Sequence, residues 1–108
     1  MRKISHFIDG KIYTNSKLET SPVFNPATGE QIAEVELADI ETTKLAINSS
    51  VKAQVTWSKT TPIARSRILS KYKDLLIKNH EYLAKAVSQE HGKTIPDAKG
   101  SVQRGIEV

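Results

Sequence analysis

Apolar and polar residues alternate along the first third of this chain and then recur at helical intervals. Residues 5–8 and 11–13 are β-formers on either side of Asp9-Gly10. This spacing predicts a hairpin closed by a type I′ turn, whose two central residues both need positive φ. A polar stretch follows over residues 14–21. Residues 22–25 and 31–37 then flank Pro26-Ala27-Thr28-Gly29 and predict a second hairpin, with Pro26 presetting the turn. In its second strand Ala33, Val35 and Leu37 share one face. Glu34 and Glu36 share the other, which the alternation assigns to water.

At Asp39 the period changes. Asp39 is a good N-cap, since its carboxylate can accept from free amides of a first helical turn. Ile40, Ile47, Val51 and Val55 form one stripe at spacings of seven and four, with Ala46, Ala53 and Trp57 beside it. Thr61-Pro62 predicts a second helix start, with proline at the first helical position. Its stripe is Ile68, Leu69, Tyr72, Leu75, Leu76, Leu83, Ala86 and Val87, with a kink or a new cap at Asn79-His80, and Gly92 closes it. A third helix is predicted from near Pro96, with Ala98, Val102 and Ile106 on its apolar face. Gly100 and Gly105 lie inside it, where each costs about 1 kcal/mol relative to alanine. No stop signal follows by Val108, so the pattern predicts a helix that is cut short. The fold class read from these elements is α/β: β-hairpins over residues 1–38, then three helices over 39–108, truncated in the last.

The 108 residues allow one small domain. Hydrophobic residues make up 38% and charged residues 26%, which excludes neither a packed core nor solubility. No apolar run approaches the ~20 residues that span a bilayer, and no apolar segment follows Arg2-Lys3 as a secretory signal requires. The chain has no cysteine. Disulfides, thiolate metal sites and a cysteine nucleophile within these residues are therefore excluded. The net charge of +4 raises the question of nucleic acid. The basic residues are scattered along the chain rather than gathered on one stripe, which favours a solvated surface.

Local motifs carry little chemistry. Gly92-Lys93-Thr94 resembles the end of a phosphate-binding loop, but position 87 is valine where a glycine is needed, and the triplet closes a helix instead of opening one. A glycine C-cap with a lysine near the helix dipole is the simpler reading. The glycines at 100 and 105 lack the strand and lysine of a phosphate cradle. His6, His80 and His91 have no metal-ligand spacing; along one helix the last two would stand ~16 Å apart. No serine sits on a strand-to-helix elbow. Arg104 stands out among the charges. A glycine follows it, and arginine can hold a carboxylate through two parallel hydrogen bonds.

Taken in order, the segments resemble the N-terminal region of the aldehyde dehydrogenase superfamily. Phe7-Ile8-Asp9-Gly10-Lys11-Ile12-Tyr13 matches its opening hairpin, and Asn25 through Val35 matches N-P-A-T-G-E-x-I-A-x-V without a gap. Trp57-Ser58, then Arg65 with Ile68-Leu69, then Glu90-His91-Gly92-Lys93-Thr94 follow at suitable spacing. The tail, Asp97-Ala98, Gly100, Val102 and Arg104-Gly105-Ile106-Glu107-Val108, is similar to the CoA-acylating methylmalonate-semialdehyde branch. That resemblance implies a portion of the family's NAD-binding domain. It implies NAD and CoA as cofactors of the full-length enzyme, with neither expected to bind this chain alone. The substrate would be methylmalonate or malonate semialdehyde, converted to propionyl-CoA or acetyl-CoA and carbon dioxide in valine, inositol or pyrimidine breakdown. It associates Arg104 with the substrate's carboxylate. The catalytic cysteine, the cofactor site and the strands of a homotetramer would lie downstream, so no catalytic, cofactor-binding or metal-binding residue is expected here. The setting implied is cytoplasmic, or mitochondrial in a eukaryote, although no transit peptide is visible. The alternatives are a basic, non-enzymatic binding module or a non-functional gene remnant. A remnant would expose the apolar stripes over 68–87 and on the last helix, because the sheet they pack on in the family is absent.

Overall fold

The computed structural model describes residues 1–108, in five strands and four helices. The strands are β1 (Arg2–Ile4), β2 (His6–Ile8), β3 (Lys11–Tyr13), β4 (Thr20–Phe24) and β5 (Gln31–Glu36). The helices are α1 (Ile40–Trp57), α2 (Pro62–Lys78), α3 (His80–His91) and α4 (Ile95–Glu107). The chain forms two compact units. Residues 1–23 and 31–60 make one, and residues 24–30 and 61–108 make the other.

In the first unit β2 and β3 form the predicted hairpin, with His6 opposite Tyr13 and Ile8 opposite Lys11. Asp9 and Gly10 have φ of 54° and 69°, as a type I′ turn demands. β1 is an addition to the predicted pattern. It pairs in parallel with β5, Arg2 opposite Ala33 and Ile4 opposite Val35, in a sheet ordered β1-β5-β4. β5 is thus a central strand, and such a strand can be covered on both faces. This corrects the expectation that Glu34 and Glu36 face water. Glu34 is half-buried and Glu36 is buried. The Thr14 hydroxyl donates to Glu36 Oε1, while Oε2 has no partner.

α1 begins as its sequence dictates. Asp39 is extended, and its Oδ1 accepts from the Thr42 amide at 2.7 Å. The Thr42 hydrogen bonds hold the Asp39 carboxyl below the usual value. Thr42 is buried, but the stripe Ile40, Ile47, Val51 and Val55 is exposed.

The second unit holds four helix ends with distinct chemistry. The Thr61 hydroxyl accepts from the Ala64 amide at 3.3 Å and starts α2. Of the two readings of Asn79-His80, a kink or a new cap, the structure has the second: the stretch 62–91 is two helices, so there are four rather than three. The separator is Asn79, with φ −102° and ψ 16°. Its side-chain amide donates to the Leu75 carbonyl at 2.8 Å, ending α2 and leaving α3 without a side-chain cap. Asparagine commonly competes for backbone groups in this way. Gly92 closes α3 with φ 84°, its amide donating to the Ser88 carbonyl at 2.8 Å. The Thr94 hydroxyl, accepting from the Asp97 amide, starts α4 at Ile95, one residue before the predicted Pro96.

α3 and α4 pack on one another as an antiparallel hairpin across this short turn. Ala84 on α3 and Ala98 on α4 have no exposed surface, Ile106 is buried, and Val102 is half-buried. The last helix therefore covers its apolar face, against the expectation of exposure, because α3 and, to a smaller extent, α2 pack against it. α2 behaves as expected of a helix lacking its partner: it buries no residue, and Ile68, Leu69, Tyr72 and Leu75 are all more than half exposed. No side chain larger than alanine is fully buried anywhere in the chain.

Two outcomes follow from these ends. A Cβ on Gly92 would come within 2.8 Å of Pro26 Cγ, at a backbone angle that L-residues avoid. Gly92→Ala is expected to lower unfolding free energy by roughly 1–3 kcal/mol in urea titration. Asp39→Asn keeps a cap but loses the charge. The charge contribution is complete above the ordinary carboxyl value and disappears as pH falls through Asp39's lowered one. The melting temperatures of the native chain and Asp39→Asn should therefore converge on acidification below about pH 4. A gap independent of pH would show that the carboxylate charge contributes nothing.

Candidate functional site

The α3–α4 hairpin sets a small cationic cluster on the outer face of α4. Its foundation is the turn after Gly92. There the Ser88 hydroxyl donates to the Lys93 carbonyl at 2.7 Å, fixing the backbone from which the Lys93 side chain departs. Lys93 Nζ then donates to Ser101 Oγ on α4 at 2.9 Å. One turn further along, Arg104 Nη2 donates to the same oxygen at 3.2 Å. Residues three apart on a helix are surface neighbours, which is why Arg104 reaches Ser101. Ser101 donates its own proton to the Asp97 carbonyl at 3.3 Å. Arg104 Nη1 lies 3.8 Å from where a Gly100 Cβ would stand, so the guanidinium folds over the glycine.

Away from the cluster, Lys99 Nζ bonds Glu81 Oε1 at 2.6 Å and ties α4 to α3. That hydrogen bond is the main reason the Glu81 carboxyl sits below its ordinary value. Both side chains are well exposed, so the pair acts as a register mark more than a source of stability. Neither Lys93 nor Arg104 forms an ion pair with a carboxylate. Glu107, the acid nearest Arg104 in sequence, accepts from Gln103 at 3.1 Å. The arginine has five N–H donors, and Ser101 occupies one of them, leaving most of the fork open to an anion.

The residues singled out from sequence fall apart in space except around Arg104. Arg104 is exposed on α4. Lys93 crosses from the end of α3 to α4, where its Nζ donates to Ser101. His6 and His80 each have a buried Nε2 without a partner, and His91 is exposed. No group of three or more histidine, aspartate or glutamate side chains could hold a metal. No helix is long and apolar enough to cross a membrane. The link between Lys93 and Ser101 had no signature in the sequence. The 97, 101, 104 spacing on one helical face was visible, but the lysine reaches it only through the left-handed turn.

Comparison with known proteins gives a consistent result. A model of the aldehyde dehydrogenase family matches residues 13–108. The malonate-semialdehyde dehydrogenase of Bacillus pumilus is 42% identical over 107 residues, covering 99% of this chain and 22% of that protein. The one from Pseudomonas aeruginosa is 40% identical over 107 residues, covering 99% of this chain and 21% of its own length. Among solved structures, one described as a methylmalonate-semialdehyde dehydrogenase from Sinorhizobium meliloti, complexed with NAD, superposes with a TM-score of 0.95 at 44% identity. The methylmalonate-semialdehyde dehydrogenase of Oceanimonas doudoroffii does so with a TM-score of 0.95 at 38% identity. Each superposition covers 99% of this chain and 22% of the other. The chain thus spans about a fifth of the length of its relatives and adopts the fold of their N-terminal part.

The cluster depends on how closely α4 approaches α3. Ala98→Leu would force extra volume into that contact and is expected to lower unfolding free energy by roughly 1–3 kcal/mol. A urea midpoint unchanged from the native chain would show that Ala98 does not set the helix spacing.

Proposed function

Since the chain belongs to the aldehyde dehydrogenase family, we propose that it supplies the N-terminal part of an NAD-dependent, CoA-acylating methylmalonate- or malonate-semialdehyde dehydrogenase. The observation that carries this reading is identity of 40% or more to malonate-semialdehyde dehydrogenases along nearly the whole chain. NAD use is supported by the Sinorhizobium meliloti structure, which holds that cofactor. CoA as acyl acceptor, a homotetrameric state, a cytoplasmic setting and a place in valine breakdown belong to the same reading, on the strength of the sequence resemblance.

In this reading Arg104 anchors the carboxylate of the semialdehyde. The substrate carries an aldehyde at one end and a carboxylate at the other, and an exposed guanidinium with no acidic partner can grip the second. Holding the carboxylate fixes where the aldehyde carbon sits, which lowers the entropic part of the barrier. The overall reaction balances as semialdehyde, NAD⁺ and CoA thiol going to acyl-CoA, NADH and carbon dioxide. The 108 residues contain no cysteine. The family's thiol chemistry would have to come from residues beyond them, and the chain by itself would not turn over. A basic nucleic-acid module finds less support, because Lys44 and Lys99 pair with Glu41 and Glu81 and the cluster at Ser101 is a single point, not a stripe.

The test is a chimera in which this chain replaces the matching first part of the Bacillus pumilus enzyme. It is expected to form NADH from malonate semialdehyde in a CoA-dependent way, while the chain alone forms none. Arg104→Leu in the chimera should lower kcat/KM for malonate semialdehyde by roughly 10- to 100-fold and leave propanal little changed. A folded chimera that oxidises propanal but not malonate semialdehyde would overturn the substrate assignment. Equal losses on both aldehydes would overturn the role of Arg104.

A further inference from the structure

Two cationic side chains from different parts of the hairpin end on one neutral oxygen. A hydroxyl has one proton to give and two lone pairs to offer. Ser101 uses all three: its proton goes to the Asp97 carbonyl, and its lone pairs take Lys93 Nζ and Arg104 Nη2. With every position filled, the hydroxyl cannot rotate without breaking a bond. The two nitrogens bonded to one oxygen lie within about 6 Å of each other, where like charges repel. No carboxylate of the chain compensates either one. Asp97 takes part through its backbone, and Glu107 is engaged by Gln103. Without Ser101 the arginine, exposed on a helix surface, would have many rotamers to lose on binding.

We propose that Ser101 and Lys93 are positioning residues for Arg104: the Ser101 hydroxyl pins one arm of the guanidinium, and Lys93 locks that hydroxyl and keeps a second positive charge beside it. The inference rests on the reading of Arg104 as the carboxylate anchor. The pinned arm leaves the rest of the planar fork open, so a carboxylate meets an arginine already oriented. The repulsion between the two cations is relieved when that anion arrives. Lys93 can play this part only because Gly92 turns left-handed and the Ser88 hydroxyl holds the Lys93 carbonyl.

The chimera described above tests it with Ser101→Ala, Ser101→Thr and Lys93→Met. Ser101→Ala and Lys93→Met are expected to raise KM for malonate semialdehyde roughly 3- to 10-fold. Their kcat, and both constants for propanal, should stay near the parent values. Ser101→Thr, which keeps the hydroxyl, should restore KM. Adding Ser101→Ala to Arg104→Leu should change nothing further. A purely structural role would instead shift both substrates together and be indifferent to the hydroxyl. If Arg104→Leu is selective for malonate semialdehyde while Ser101→Ala and Lys93→Met are not, the positioning role is overturned and the anchor survives. If Arg104→Leu is itself unselective, the anchor falls and the positioning role falls with it. A second measurement uses the 108-residue chain alone. The side-chain NMR signals of Arg104 should show restricted guanidinium rotation in the native sequence and lose it in Ser101→Ala. Identical rotation in the two would overturn the proposal independently of any kinetics.

Discussion

The second unit of this chain depends on one left-handed residue. Gly92 reverses the direction of the backbone between α3 and α4 at a φ that a side chain would resist, in a space where Pro26 leaves no room for a Cβ. The close packing of α3 on α4 follows from that turn. The placement of Lys93 follows too, because the same turn aims it across the hairpin toward Ser101. Backbone geometry at a single position thus fixes both a packing contact and the surroundings of the candidate anchor, Arg104.

What fills the contact matters as much as what turns it. The fully buried residues are alanines, which let helices approach closely but contribute little apolar area of their own. Large apolar side chains are mostly on the outside, as on α1 and α2. Contiguous apolar stripes of this kind mark surfaces that meet a partner. This is the physical counterpart of the comparison with relatives, in which the matching segment is about a fifth of a longer protein. In those relatives a much larger polypeptide is available to cover such faces.

The contrast between Arg104 and Lys99 shows how context sorts equivalent charges. Both are on α4 and both are exposed enough to be solvated. Lys99 finds Glu81 on the neighbouring helix and becomes a structural link. Arg104 finds a hydroxyl and a second cation, so its charge is held in place but not neutralised. A neutral partner orients a guanidinium without quenching it, which is the condition for recognising an anion from outside.

Much of this arrangement was legible in the residues. The Asp9-Gly10 turn, the Asp39 and Thr61 caps, the proline at the start of α2 and the glycine after α3 each act within a few residues, so local chemistry determines them. Arg104 stood out because its type and its neighbouring glycine are local as well, and the family resemblance gave it a role. The rest depended on partners distant in sequence. β1 exists because β5 lies beside it, about thirty residues on. Glu36 is buried because β5 is a central strand, where alternation no longer separates wet from dry. At Asn79-His80 the residues already marked a break, and the structure decides between its two readings in favour of a new helix, the Asn79 side-chain amide reaching back four residues to the Leu75 carbonyl. The meeting of Lys93 with Ser101 and Arg104 needed the turn, the close helices and the rotamers together. Sequence alone determined the ends of elements, where the forces are local. Tertiary structure decided which side chains share one oxygen, because that depends on distances between segments no short pattern encodes.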